Sequence, residues 1–183
     1  MLKQLPQYAS AISKNVREIF FQELKTLAKS QIFSIALTVG YTLKHECLLN
    51  YVFPEAKRYL DDNEITACKV IAITMSMTNT YHNFSKKVND EEIRKMPSPF
   101  SLDSLATYNI NEKDFSIYCL VASIINNCEF CINAHVGKLR KKGCSSEMIC
   151  DIGRVVSVIK ATADVLDIER MRSYNFIVRE ENF

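Results

Sequence analysis

The chain has 183 residues, 48% of them hydrophobic, and a formal net charge of +2. That apolar content can bury a real core, as one domain or two fused halves, while the near balance of charge marks no nucleic-acid partner. The one basic run, Lys138–Lys142, lacks interleaved aromatics and reads as the solvated face of a helix.

In chain order, the N-terminal MLKQLPQYASAISKNV has no apolar segment leading to a small-residue cleavage site, so no signal peptide is expected. Residues Pro6–Lys29 carry Tyr8, Ile12, Val16, Ile19, Phe20, Leu24 and Leu27 at spacings of three and four, the stripe of an amphipathic helix. Gln31–Asn50 follows as a more apolar helix, and Pro54 opens a short one through Leu60. Asp61 with Glu64 forms a capping box for a helix from Glu64 to about Val88, apolar on most sides at Ile65, Cys68, Val70, Ile71, Ile73, Met75 and Met77. Asn89 with Glu92 repeats the signature for a short helix ending before Pro97. The segment 97–110, rich in proline and small polar residues, reads as a linker between an N-terminal half of about 1–96 and a C-terminal half of about 111–171.

Asn111 caps the next helix, whose DFSIYCLVASII is apolar nearly all round and predicts burial. Asn126 and Asn127 break it, a helix carrying Cys128, Cys131 and His135 follows, and Gly143 stops that one. Ser145 caps a last helix from Ser146 to about Met171, and 172–183 is a charged tail expected to fray. The longest apolar stretches, near Ile32–Leu43 and Phe115–Ile125, are too short and polar to span a bilayer, so a cytoplasmic protein without a membrane segment is expected. The whole is an all-α chain of a single domain, 1–183. A shift of 49 residues lays IAITMSMTNTYHNF over ASIINNCEFC, with Asn79–His82 over Cys128–Cys131, and suggests two pseudo-repeated halves. On that register His82 is an unremarkable histidine, and His45, with Leu49 where a second His would stand, is no metal motif.

The chemistry concentrates in NCEFCINAHVGKLRKKG. Residues three apart on a helix place their Cα atoms about 5 Å apart, within reach of a disulfide, so Cys128 and Cys131 can bond without moving the main chain. His135 lies on the same face. A helix beginning at or just before Cys128 presents unpaired N–H groups and its positive end to a thiolate, and the imidazole one turn on can take the proton. Thiol-disulfide exchange or peroxide reduction is implied. Zinc is the competing use of Cys128, Cys131 and His135, with Cys144 or Cys150 as fourth ligand, but no second spaced pair exists elsewhere. Seven cysteines without a secretion signal argue against a disulfide framework, leaving Cys47, Cys68, Cys119, Cys144 and Cys150 as core or surface thiols.

The stretch FSIYCLVASIINNCEFCINAHVGKLRKKGCSSEMICDIGRVVSVIKATADVLDIE resembles the C-terminal half of AhpD-type alkylhydroperoxidases, in the carboxymuconolactone decarboxylase-like superfamily. LKQLPQYASAI and Ile71–Asn83 resemble the same proteins, so the likeness covers nearly the whole chain. It implies an AhpD-like helical bundle that forms homo-oligomers, often trimers or hexamers. The implied activity is reduction of organic hydroperoxides through the CxxC pair, with no bound cofactor or metal and with electrons from a lipoyl-bearing protein. Some members instead serve as the reductant of a partner peroxiredoxin, and a non-catalytic oligomer with a remnant or metal-binding motif is the third reading. Carried over, Cys131 is the peroxidatic cysteine, Cys128 the proton donor and resolving thiol, and His135 the base. The family's relay usually starts from a glutamate twelve residues before the first cysteine, which here is Ser116. Glu112 or Asp114 is the candidate substitute, and Phe130 stands where the best-known peroxidase has a histidine.

Overall fold

Every regular element is helical among the residues described by this computed structural model, 5–22, 24–98, 100 and 110–180, with 172–180 described by main chain only. A 3-10 turn at Gln7–Ala9 precedes α1 (Ser10–Phe21), α2 (Lys29–Leu43), α3 (Glu46–Ala56) and α4 (Asp62–Lys87). Then come α5 (Glu91–Lys95), α6 (Glu112–Ile125), α7 (Glu129–Lys141) and α8 (Ser146–Glu180). No helix among the described residues is long and apolar enough to cross a membrane.

The two most apolar helices lie side by side at the centre. α2 is buried from Ile32 through Gly40 and α6 from Ser116 through Ser123, and α4 and α8 cover both. Each large aliphatic side chain sealed here, such as Ile35, Leu37, Ile117 or Leu120, contributes about 1.5–3 kcal/mol.

Several boundaries differ from those expected. The first helix ends at Phe21, because Gln22 turns extended and Lys29 Nζ donates to the carbonyls of Phe20 (2.7 Å) and Gln22 (2.9 Å), closing a turn that drops Leu27 into the core. Gln31–Asn50 is two helices, parted at Lys44. Pro54 sits inside α3 rather than opening a helix, two residues before α3 ends, where a missing N–H forfeits one hydrogen bond. The Asp61–Glu64 capping box forms, with both bonds at 2.8 Å, but Asp90 rather than Asn89 caps α5. Ile73 and Met77 face outward on α4, and α8 runs on to Glu180 instead of ending near Met171. Of the expected linker, 99 and 101–109 lie outside the described residues.

The halves do repeat, in another register. α4 runs unbroken through Asn79–His82, so the polar break between α6 and α7 has no counterpart there. Its counterpart is the α2–α3 turn, 83 residues upstream: Lys44 and Asn127 are both left-handed, with φ of 56° and 51°. His45 and Cys128 follow as N-caps with nearly equal angles, φ −93° and ψ 92° against φ −98° and ψ 93°. The His45 N–H donates to Gly40 O and the Cys128 N–H to Ser123 O, each at 3.0 Å. α4 and α8 correspond at an offset of 84 residues: Asp61 and Ser145 cap them, and Thr78 and Thr162 bond back to the carbonyls of Thr74 and Val158. Each long helix packs on both halves: α4 on α2 of its own half and on α6 and α7 of the other, and α8 on α6 of its own and on α2 and α3 of the other.

Candidate active site

Asn127 makes the turn into α7, and asparagine tolerates its left-handed conformation better than most residues. The turn delivers Cys128 as N-cap and Cys131 as the third residue of α7, with their Sγ atoms 2.7 Å apart. Both are free thiols and both are buried. Cys128 makes no capping bond, so the N–H groups of Glu129, Phe130 and Cys131 stand at the positive end of α7 without intrahelical acceptors. In the other half the same seat is used up: His45 Nδ1 accepts from the Leu48 N–H at 2.9 Å. That leaves Nε2–H to donate to Ala163 O at 3.0 Å, with Asp167 Oδ1 3.1 Å away.

His135 follows Cys131 by one turn and is buried with it. Burial first, and then the charge of Lys138, pushes its pKa down to about 4, so the imidazole is neutral at neutral pH. Burial likewise pushes the Cys131 thiol well above its usual range, helped by its bond to Cys128 and by the nearby Cys128 and Cys119. Thiol and imidazole are thus both neutral at rest. Transferring the proton creates a charge pair that the surroundings must stabilise, and His135 Nδ1 has no hydrogen-bond partner among the described residues.

A dithiol at a helix start with a histidine one turn on can be compared with known proteins. Residues 92–168 match the carboxymuconolactone decarboxylase family. The chain is 34% identical over 167 residues to the alkyl hydroperoxide reductase AhpD of Coxiella burnetii, covering 91% of this chain and 94% of that one. It is 29% identical over 166 residues to the AhpD of Rhodospirillum centenum, covering 91% and 88%. A third AhpD, from Acidobacterium capsulatum, is 26% identical over 171 residues, 93% of each chain. The chain belongs to the AhpD family.

Glu112, Asp114 and Ser116 all lie on α6. The ion pair of Glu112 with Lys142 and the bond from Cys128 N to Ser123 O fix α6 antiparallel to α7, which sets Ser116 level with the turn holding His135. Ser116 is buried and its Oγ donates to Glu112 O at 2.8 Å, so the hydroxyl is spent within its own helix. The Glu112 side chain is exposed and bound to Lys142. Asp114 accepts from Gln31 Nε2 at 2.7 Å and Asn111 Nδ2 at 2.5 Å. Neither carboxylate is bonded to His135. Among the described residues no three of His, Cys, Asp and Glu converge to hold a metal, and Cys150 is exposed on α8.

α4 supplies neighbours that the sequence reading passed over. The His82 ring packs tilted against Phe130 with centroids 4.8 Å apart, Lys86 Nζ lies 5.0 Å over the same ring, and with Asn133 they border a cleft of about 420 Å³ beside the first turn of α7. Beneath them Asn79 and Ser123 are fully buried. In the sequence Asn79 stands between Thr78 and Thr80 in a polar stretch of α4, so nothing local marks it as buried.

Proposed function

We propose that this AhpD-family protein reduces organic hydroperoxides through the Cys128–Cys131 dithiol. What carries the reading is the pair of sulfurs 2.7 Å apart at the start of α7 with His135 one turn on. Cys131 gives its proton to His135 and attacks the terminal peroxide oxygen. The O–O bond breaks, the alkoxide takes the proton back from His135 and leaves as the alcohol, and Cys131 becomes a sulfenic acid. Cys128 then attacks that sulfur while its thiol proton passes to the departing oxygen, so that the disulfide forms and the sulfenic oxygen leaves as water. A dithiol donor, a lipoyl group on a partner protein, takes up the oxidation and restores both thiols. The setting is cytoplasmic, where such donors and free thiols coexist. Peroxide consumption coupled to reduced lipoamide and its reductase should be measurable with the wild-type protein, and no turnover at any donor concentration would sink the reading.

A second reading, a dithiol reductase serving a peroxiredoxin, is favoured by one observation: His135 Nδ1 has no hydrogen-bond partner among the described residues, and so no carboxylate there to support proton transfer. It keeps the same two cysteines and predicts disulfide exchange without peroxide turnover.

Self-association belongs to the same proposal. Ile73, Met77 and Phe84 are exposed along α4 and, with Tyr41, Tyr81 and Phe100, line an apolar groove of about 650 Å³. A second copy is its expected occupant. Light scattering at micromolar concentration should give a mass well above 21.0 kDa, and a monomeric mass would exclude it.

A further inference from the structure

The two residues between the cysteines both face one cleft. Glu129 and Phe130 border the space of about 420 Å³ whose other wall is the last turns of α4, and Asn127, on the far side of Cys128, borders it too. The stretch of chain that carries both sulfurs is therefore a wall of this cleft, with consecutive Cα atoms about 3.8 Å apart. Phe130 is 46% exposed, a large apolar ring left at the surface although His82 packs tilted against it.

The wall from α4 is cationic. Lys86 and Lys87 stand in the last turn of that helix. Lys86 Nζ lies 5.0 Å over the Phe130 ring and donates to Arg94 O, whereas the exposed Lys87 has no hydrogen bond or ion pair among the described residues. Burial, and then the charge of Lys86, lowers the pKa of His82, so that ring adds no charge at neutral pH, and its Nδ1 has no hydrogen-bond partner among the described residues. Against the two ammonium groups stands one carboxylate, Glu129, at the positive end of α7. The net field is positive, beside an apolar ring. No guanidinium lines the cleft, since Arg94 Nε is turned to Val88 O at 2.7 Å. Without the planar fork that grips a phosphate, and with Glu129 opposing a second negative charge, the anion that fits is a single carboxylate. The volume suits a body of about one aromatic ring with short substituents.

We propose that this cleft is the substrate entrance and that it selects organic hydroperoxides bearing a carboxylate, with Lys86 and Lys87 holding the anion and Phe130 the apolar body. The proposal rests on the peroxidase reading above and names its substrate class. Both sulfurs are buried, and the hydroperoxide group reaches Cys131 past the Phe130 ring, its neighbour in the chain. Neutral hydroperoxides gain the ring contact alone, so the charge shows as a preference and not as a requirement.

Cumene hydroperoxide and its para-carboxylate differ by the anion alone. In the lipoamide-coupled assay at low ionic strength, wild-type protein should favour the carboxylate in kcat/KM by about threefold or more, the range of partly exposed ion pairs, and added salt should erase the preference. Lys87→Glu should reverse it and Glu129→Gln should increase it. The readout is the ratio of the two substrates, so a general loss of activity in a variant cancels. A second measurement needs no turnover. para-Isopropylbenzoate, the same body without the peroxide, should bind by calorimetry with a Kd on the order of 1 mM or tighter, and Lys87→Glu protein should lose that binding. Equal rates for the two hydroperoxides, or a preference that Lys87→Glu leaves in place, overturns the proposal, and so does an absence of para-isopropylbenzoate binding. If neither hydroperoxide is consumed, the peroxidase reading falls, and the calorimetry still decides whether the cleft takes a carboxylate.

Discussion

Cys131→Ser is expected to abolish peroxide-dependent loss of thiols and to lower lipoamide-coupled turnover by on the order of 10³-fold or more, since the attacking sulfur is gone. Cys128→Ser should stop turnover differently. Its Cys131 still reacts once, and with no resolving thiol 2.7 Å away the sulfenic acid persists, open to capture by a sulfenic-acid reagent and assignment by mass spectrometry. Finding the trapped acid on Cys128 in the Cys131→Ser protein would reverse the two roles. The site makes that comparison worthwhile: Cys128 is the N-cap, nearest the free N–H groups of α7, whereas Cys131 carries a raised pKa.

Ser116→Glu is expected to accelerate peroxide reduction near neutral pH by severalfold, up to on the order of 10²-fold. A carboxylate at this buried position, level with His135, would give the ring an acidic partner that it lacks among the described residues and raise its pKa from about 4. The sign follows directly. A base whose pKa lies nearer the working pH accepts the Cys131 proton more readily, so the gain should be largest at neutral pH and shrink in alkali, where the thiol ionises unaided. Glu112→Gln and Asp114→Asn should leave the rate unchanged, because those carboxylates are engaged by Lys142 and by Gln31 and Asn111. An unaltered rate in Ser116→Glu protein, measured by the lipoamide-coupled assay, would end the proton-relay account and favour the dithiol-reductase reading.

The C-terminal half was readable in detail because its chemistry is local. Asn111 accepts from the Asp114 N–H at 2.9 Å, Asn127 turns left-handed, Gly143 does the same at φ 76°, and Ser145 Oγ caps α8, all from signals lying within four residues. Other boundaries were lost where no nearby residue type signals them. α1 stops where Lys29, nine residues beyond Phe20, takes its carbonyls, and the α2–α3 break is made by a left-handed lysine, a residue type that carries no such signal. Asn79 was illegible for the same reason: its neighbour Ser123 is 44 residues away and nothing beside it in the chain announces a buried amide. The repeat was sensed but misplaced, since the matching elements share backbone angles and caps rather than residue types, with His45 in one half standing for Cys128 in the other.

The sharing of each long helix between the halves has a bearing on how such a chain can be shortened. α4 packs on α2 of its own half and also covers the hairpin of α6 and α7, while α8 packs on α6 of its own half and also on α2 and α3. Neither half therefore encloses its own core, and a chain cut between α5 and α6 would leave each fragment with an apolar flank meant for the other. Such a fragment has two fates: to aggregate, or to pair with a twin and trade long helices so that a true dyad replaces the internal one. The covalent link between the halves thus does more than tether them. It lets one seat at a helix start hold a thiol pair while the other holds a histidine, a division of labour that two identical chains related by symmetry are unable to make.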